Sequence, residues 1–261
     1  MNYKTLDLRQ DDRGVVYVTL NTPERRNVLS AATIEELTDV AKSIGSAAGT
    51  RAMVLSGAGK VFCAGGDLGW MKAQIDADRT TRVAAARKLA MMLQALNEMP
   101  TPLIGRIHGG AFGGGVGLAC ICDVAIADKE TKFGLTETRL GLIPATIGPY
   151  VIARIGEGHA RRVCMSARIF DAEEATELGI VARAVEAGVL DDAVEQEIVP
   201  YLSVAPHAVG AAKSLARSLG PRIDADVIEE TISRLADIWD GDEARHGVSA
   251  FLGKTKPDWD S

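Results

Sequence analysis

Aromatic side chains are scarce, at 5% of 261 residues, and cysteine occurs only at Cys63, Cys120, Cys122 and Cys164. No CxxC pair and no nearby pair of histidines accompanies these cysteines, so metal-site spacing is missing and buried, reduced thiols are expected. Long apolar runs are also missing: no window reaches the roughly 18 residues that a membrane span needs. The first residues, MNYKTLDLRQDDRG, are polar and mixed in charge, unlike a signal or transit peptide. A chain without membrane contact, in the cytoplasm, is the expectation. Positive charge is not in excess either. The formal net charge of −6 argues against a nucleic-acid partner held by bulk electrostatics. There is no fixed-period repeat, low-complexity tract or Pro/Ser linker, so any domain boundary is soft.

Hydrophobic residues make up 47% of the chain, rich in alanine and glycine, enough for a sizeable core. Residues 3–20 alternate as strand, DDRG turn and strand, and 31–48 carry apolar residues at helical spacing. RAMVLSGAG and PLIGRI read as buried strands, with a long helix over about 79–99 that Pro100 and Pro102 end. A helix over 116–122, a short strand VAIA and a turn over 129–134 follow. Alternation of strand and helix to about residue 145 predicts an α/β layer structure. Helices are expected over 149–155 and 160–165, then one capped by Asp171 and ended by Gly179, before a last strand, IVARAV. Residues 190–202, 206–219 and 225–239 read as three helices. The expected division is a core over 1–195 and a helical region over 196–261 that buries a face against a partner.

Two glycine turns, FCAGGDL (62–68) and GGAFGGG (109–115), each end a buried strand and open a helix. Tight strand-to-helix turns need glycine for structural reasons alone. Neither turn is a dinucleotide fingerprint or a P-loop. Together, however, they can aim two backbone N–H groups at one carbonyl oxygen, with the carboxylate of Glu137 alongside and Arg139 two positions on. That arrangement stabilises an enolate and moves a proton beside it. The alternative for Glu137 is a structural pairing with Arg139. Asp123 reads as a cap or turn residue, Trp70 and Met71 as an apolar wall, and His108 as a core histidine with its bonds satisfied. His159, His207 and His246 have no triad partner. Asp226, Glu229, Glu230 and Arg234 read as a solvated helix face.

PERRNVLS, FCAGGDL, GGAFGGGVGLACICDVAIA, FGLTETRLGLIP and AFLGKTKP, in this order and spacing, resemble the enoyl-CoA hydratase/isomerase (crotonase) superfamily over nearly the whole chain. The resemblance implies a crotonase-like spiral of ββα turns with a C-terminal helical trimerisation region. It also implies trimers or dimers of trimers, and an acyl-CoA thioester as substrate with no separate cofactor or metal. By position, Gly66 and Gly114 would supply the oxyanion-hole amides, and Glu137 the proton carrier. Ala64, Asp67 and Leu68 would line the CoA channel, Arg26 and Val28 the pantetheine–nucleotide path, and Phe251 and Lys254 the nucleotide end.

Family hydratases commonly carry two glutamates, and the position of the first is Gly117 here. A lone carboxylate suffices to shift a double bond, which favours isomerase chemistry. The loop LIPATIGPYVIARIG, with DLGWMK and GGGVGL, is in turn similar to the methylglutaconyl-CoA hydratase group. Those substrates carry a second carboxylate, for which a basic pocket residue is expected. Tyr150 in that loop is a candidate for bonding substrate or water, or a packed core tyrosine. The expectation is a hydratase for a branched or glutaconyl-type enoyl-CoA. A single-glutamate isomerase and a non-catalytic acyl-CoA binder are the alternatives.

Overall fold

A computed structural model describes residues 3–260, apart from the side chain of Leu68. The chain opens with a hairpin, β1 (Leu6–Gln10) and β2 (Val15–Leu20). Asp11 holds its turn by accepting from the amides of Arg13 and Val15, both at 3.0 Å. Next come α1 (Ala31–Asp39), β3 (Ala52–Gly57), α2 (Leu68–Asp76), α3 (Arg79–Glu98), β4 (Leu103–Ile107) and β5 (Gly110–Phe112). The central part is α4 (Gly114–Ile121), β6 (Val124–Asp128), β7 (Lys132–Gly134), α5 (Gly148–Cys164), β8 (Ile169–Asp171), α6 (Ala172–Glu177) and β9 (Arg183–Val185). Four helices complete it: α7 (Leu190–Leu202), α8 (Pro206–Leu219), α9 (Ala225–Trp239) and α10 (Asp242–Leu252). Ser30, Asp67, Asp78, Asp171 and Asp224 cap α1, α2, α3, α6 and α9, each accepting a backbone N–H from within the first turn.

Two sheets organise these elements. The larger runs β1-β2-β3-β4-β6-β9, parallel except for the first pair. Its middle strands are apolar on both faces because both faces are covered. Met53, Leu55, Leu103 and Ile107 face a core shared with α1, α3 and α4, whereas Val54, Ile104 and Ile126 pack under Leu190, Val194 and Ile198 of α7. The smaller sheet is β5-β7-β8, and single bridges Leu29↔Gly66 and Cys63↔Ala111 extend it by segments 26–29 and 63–66. Each turn of chain therefore runs from a large-sheet strand to a short small-sheet segment and then to a helix. The ends of the successive segments, near residues 29, 66, 113 and 136, are brought together on one side.

Some expectations change. The 129–134 turn contains β7, and β8 was not foreseen. The helix from Ala31 ends at Asp39 and continues as a wider π turn through Ile44. The two helices expected over 149–155 and 160–165 are present as two stretches of α5, parted at Gly156, whose backbone (φ +75°, ψ 160°) is not helical. A boundary at 195 falls inside α7. The C-terminal helices are four rather than three, and Leu235, Trp239 and Val248 share one core with Ala86 and Ala90 of α3. Glu229 of the expected solvated face bonds Arg87 of α3. Among the described residues no helix is long and apolar enough to cross a membrane.

Candidate active site

The two glycine turns lie against each other. Cys63 donates to Gly110 O (3.1 Å) and Phe112 donates to Cys63 O (3.0 Å), which fixes the register between them. Leu29 donates to Gly65 O at 2.8 Å, adding segment 26–29 on the other side. Contact is so close that a Cβ on Gly65 (φ +87°) would sit 2.7 Å from Phe112 O and 3.4 Å from Gly114 N. This is where glycine is required for approach as well as for torsion. Within each turn one amide is engaged inward: Gly113 N donates to Gly134 O (2.8 Å) and Gly65 N to Cys63 Sγ (3.4 Å). The next amides, of Gly66 and Gly114, make no such backbone bond among the described residues, and both glycines border the same cavity. Gly114 is the first residue of α4, at the positive end of that helix.

Glu137 opens a short 3-10 turn (Glu137–Leu140) after β7. Its carboxyl faces the glycines: a Cβ on Gly113 (φ +49°) would lie 2.8 Å from Glu137 Oε1. Glu137 Oε2 is buried without a hydrogen-bond partner, and no ion pair joins Glu137 to Arg139 among the described residues. Desolvation by burial pushes the Glu137 carboxyl up to about 7, against a smaller opposing contribution from its own backbone N–H. A carboxyl with that affinity both takes and releases a proton near neutral pH. Cys164 stands close enough for the Glu137 charge to add to the burial that raises its thiol to about 11, so it is held protonated.

Two spaces meet at Gly66, Met71 and Glu137. Outward is a cleft of about 520 Å3 lined by Arg25, Arg26, Val28, Ala64, Phe112 and Phe251, among others. Inward is an apolar cavity of about 100 Å3, walled by Leu29, Ile34, Trp70, Leu142, Ile147 and Trp239 with their neighbours. Among the described residues, Glu137 is the one ionisable residue of the inner lining. The basic side chain expected for a second substrate carboxylate is not there among the described residues.

The structure thus gathers Gly66, Gly114 and Glu137 with Arg26, Val28, Ala64 and Phe251. Other candidates lie elsewhere. Asp67 caps α2, accepting from Trp70 N at 2.8 Å, and is ion-paired with Arg25, so its carboxylate is engaged in structure instead of lining the cleft. The side chain of Leu68 lies outside the described residues. Gly117 is buried in α4 and borders neither space; a Cβ there would lie 2.5 Å from Ile147 Cγ2, so the isoleucine fills the room that a second carboxylate would need. Tyr150 turns away from the cavity. Its buried hydroxyl has no partner, and its ring lies with Asn97, Cys120 and Arg154 because α5 presents this face to α4. Lys254 lies past α10, outside the cleft lining. Asp123 is no cap: it accepts from Leu103 N and from Lys213, each at 2.7 Å. His108 is half-buried, its Nε2 2.9 Å from Gly59 O.

Sequence reasoning missed two contributors, Asn27 and Trp239. Buried Asn27 accepts from Thr22 N (3.0 Å) and donates to Ala58 O and Val61 O (2.8 and 2.9 Å), tying the loops that carry both site segments. Its positive φ of 54° beside Arg26 at 56° was the available sign, visible only in coordinates. Trp239 reaches the cavity from far along the chain, with no local motif. Among the described residues, no group of three His, Cys, Asp or Glu could hold a metal.

Comparison with known proteins agrees with this geometry. A family model described as enoyl-CoA hydratase/isomerase matches residues 10–261. An enoyl-CoA hydratase of Alternaria alternata, AKT6-1, is 33% identical over 240 residues, covering 91% of this chain and 78% of that protein. A short-chain-enoyl-CoA hydratase of Clostridium acetobutylicum is 29% identical, over 93% of this chain and 92% of its own. The crystal structure of an enoyl-CoA hydratase from Mycobacterium avium superimposes with a TM-score of 0.84 at 31% identity, covering 98% of each chain. With strand–segment–helix turns, paired glycine amides and one buried acid all in place, this chain belongs to the enoyl-CoA hydratase/isomerase (crotonase) superfamily of enzymes.

Proposed function

We propose that this enzyme adds water across the double bond of a 2-enoyl-CoA, with Glu137 as its single proton carrier. The observation that carries this reading is the buried, unpartnered Glu137 carboxyl at the junction of the cavity and the cleft, beside the Gly66 and Gly114 amides. The thioester oxygen binds between those two amides, with the CoA portion in the outer cleft and the acyl chain inward. Ionised Glu137 takes a proton from water as the water oxygen bonds to C3. The electron pair of the double bond moves through C2 onto the thioester oxygen, where the amides hold the enolate. The enolate then collapses, and the Glu137 carboxylic acid returns the proton to C2. One water is added, no co-reactant is consumed, and one carboxyl serves both transfers on one face of the substrate.

Gly117 and Ile147 support this economy, since together they leave no room for a second acid. The same feature favours a second reading, double-bond isomerisation, in which Glu137 takes a proton from C2 of a 3-enoyl-CoA and returns it to C4. A panel of crotonyl-, 3-methylglutaconyl- and 3-hexenoyl-CoA, read by mass and by absorbance of the conjugated thioester, separates the two. Hydration adds the mass of one water to crotonyl-CoA. Isomerisation leaves the mass of the hexenoyl thioester unchanged while conjugation grows. Absence of any hydroxyacyl-CoA overturns the hydratase reading.

We propose further that the chain self-associates through α8. That helix has no buried residue and exposes Leu215 and Leu219 one turn apart, at 59% and 79% of their surface. Light scattering checks it: a trimer or hexamer mass is expected, and a monomer would overturn it.

A further inference from the structure

The inner cavity says more about the acyl group. Among the described residues its lining carries no cation, and the carboxyl at its mouth is itself starved of solvent. A second substrate carboxylate in this space would be buried, unpaired and close to a like charge, a strongly unfavourable position. Part of its wall comes from α3 and α9. α3 contributes Ala85, Ala86 and Leu89, and α9 contributes Leu235 and Trp239. The Trp239 ring stands edge-on to Trp70 of α2, with centroids 6.4 Å apart and planes at 84°.

What holds this wall is Arg82, a buried arginine of α3 that no family motif singles out. Its Nε donates to Gln74 O at 2.9 Å and its Nη2 to Ile75 O at 3.2 Å, which ties it to the end of α2. Its Nη1 donates to Trp239 O at 3.1 Å and to Asp240 Oδ1 at 2.8 Å, which ties it to the end of α9. The guanidinium also lies 5.7 Å from the centre of the Trp239 ring. One side chain thus bolts together the ends of the two helices that carry the tryptophans.

We propose that Trp239, positioned by Arg82, ends the acyl site, and that the enzyme takes uncharged acyl chains of about four to six carbons and rejects acyl groups with a distal carboxylate. The cavity volume is small, about 100 Å3, consistent with a short chain beyond the thioester. This rests on the reading of the inner cavity as the acyl site, and it excludes the glutaconyl-type substrate that the loop sequence suggested.

Saturated acyl-CoAs test it, because they bind without reacting. Calorimetric affinities of the intact protein are measured for butanoyl- to decanoyl-CoA, and for glutaryl- against pentanoyl-CoA. The affinity is expected to rise about fourfold per methylene to about six carbons and then fall, with glutaryl-CoA weaker than pentanoyl-CoA by at least about a hundredfold. Trp239→Ala moves the fall outward by two or more carbons. Trp239→Phe, a milder change for folding, moves it by about one, and Arg82→Lys, which keeps the charge but not the fork, blurs it. Affinities that climb through decanoyl-CoA in the wild type, a cut-off that both Trp239 variants leave in place, or glutaryl-CoA within tenfold of pentanoyl-CoA would overturn the proposal. A short-chain cut-off in a protein that hydrates no enoyl-CoA sinks the hydratase reading and leaves this one standing. If no acyl-CoA binds, both fall.

Discussion

Replacing Glu137 by glutamine should stabilise the protein, and only at high pH. The carboxyl is raised from an ordinary 4.5 to about 7 by burial, so between those values the folded chain keeps a proton that the unfolded chain has lost. Stability then falls as pH rises through this window, and is flat on either side as far as this group is concerned. At about 1.4 kcal/mol per pH unit, ionising Glu137 in place costs about 3 kcal/mol once pH exceeds 7. Glutamine has nearly the same shape and no proton to lose. Below pH 4.5 the variant and the wild type should therefore be about equally stable. At pH 8 the variant should be more stable by about 3 kcal/mol. Urea unfolding of both proteins at pH 4 and pH 8, at one protein concentration, supplies the double difference, in which every other carboxylate cancels. A double difference near zero, or a variant less stable at pH 8, would mean that the carboxylate is solvated or paired, and the account of the site would be wrong.

The same group should govern catalysis, since kcat/KM for hydration should rise with pH through a midpoint of about 7, as the ionised base is the active form; a flat profile from pH 5 to 9 would contradict this. Gly113→Ala places a methyl 2.8 Å from Glu137 Oε1 on a backbone at φ +49°, and should lower kcat by about ten- to a hundredfold. An unchanged kcat in steady-state assay would refute it. Gly117→Glu should not create a second catalytic acid: its Cβ would lie 2.5 Å from Ile147 Cγ2, and the crowding should cost about 1–3 kcal/mol in urea unfolding. Adding Ile147→Ala should recover much of that loss, and a stable, faster Gly117→Glu single variant would show the reasoning to be mistaken.

Much of this was legible in the residues because local rules acted alone there. α3 and α7 to α9 stand where apolar spacing, Asp78, the prolines and Asp224 put them, and buried strands read as apolar runs because helices cover both sheet faces. The glycine turns and Glu137 were legible because two glycine turns followed by one carboxylate between apolar segments make a rare pattern. What could not be read depends on partners distant in sequence. Ile147 explains Gly117 across thirty positions only once α4 and α5 are packed. Trp239 and Arg82 meet across 157 positions. Asp67 looked like channel lining until Arg25 was seen to engage it, and the facing of Tyr150 follows from how α5 rolls onto α4. α10 was missed because Asp242, Glu243, Arg245, His246 and Gly247 dilute its apolar spacing, and it is held by contact with Leu140 and Trp259.

The most direct test of the central claim is single-turnover hydration of crotonyl-CoA by the wild type and Glu137→Gln, with crotonyl-CoA affinity measured on the same preparations. The predicted result is a loss of about two to four decades in the rate of water addition, with affinity within about threefold of wild type, because the glycine amides still hold the thioester oxygen. A variant that hydrates at the wild-type rate would contradict Glu137 as the proton carrier. One that loses its affinity along with its rate would contradict the separation of binding from proton transfer on which the site is built.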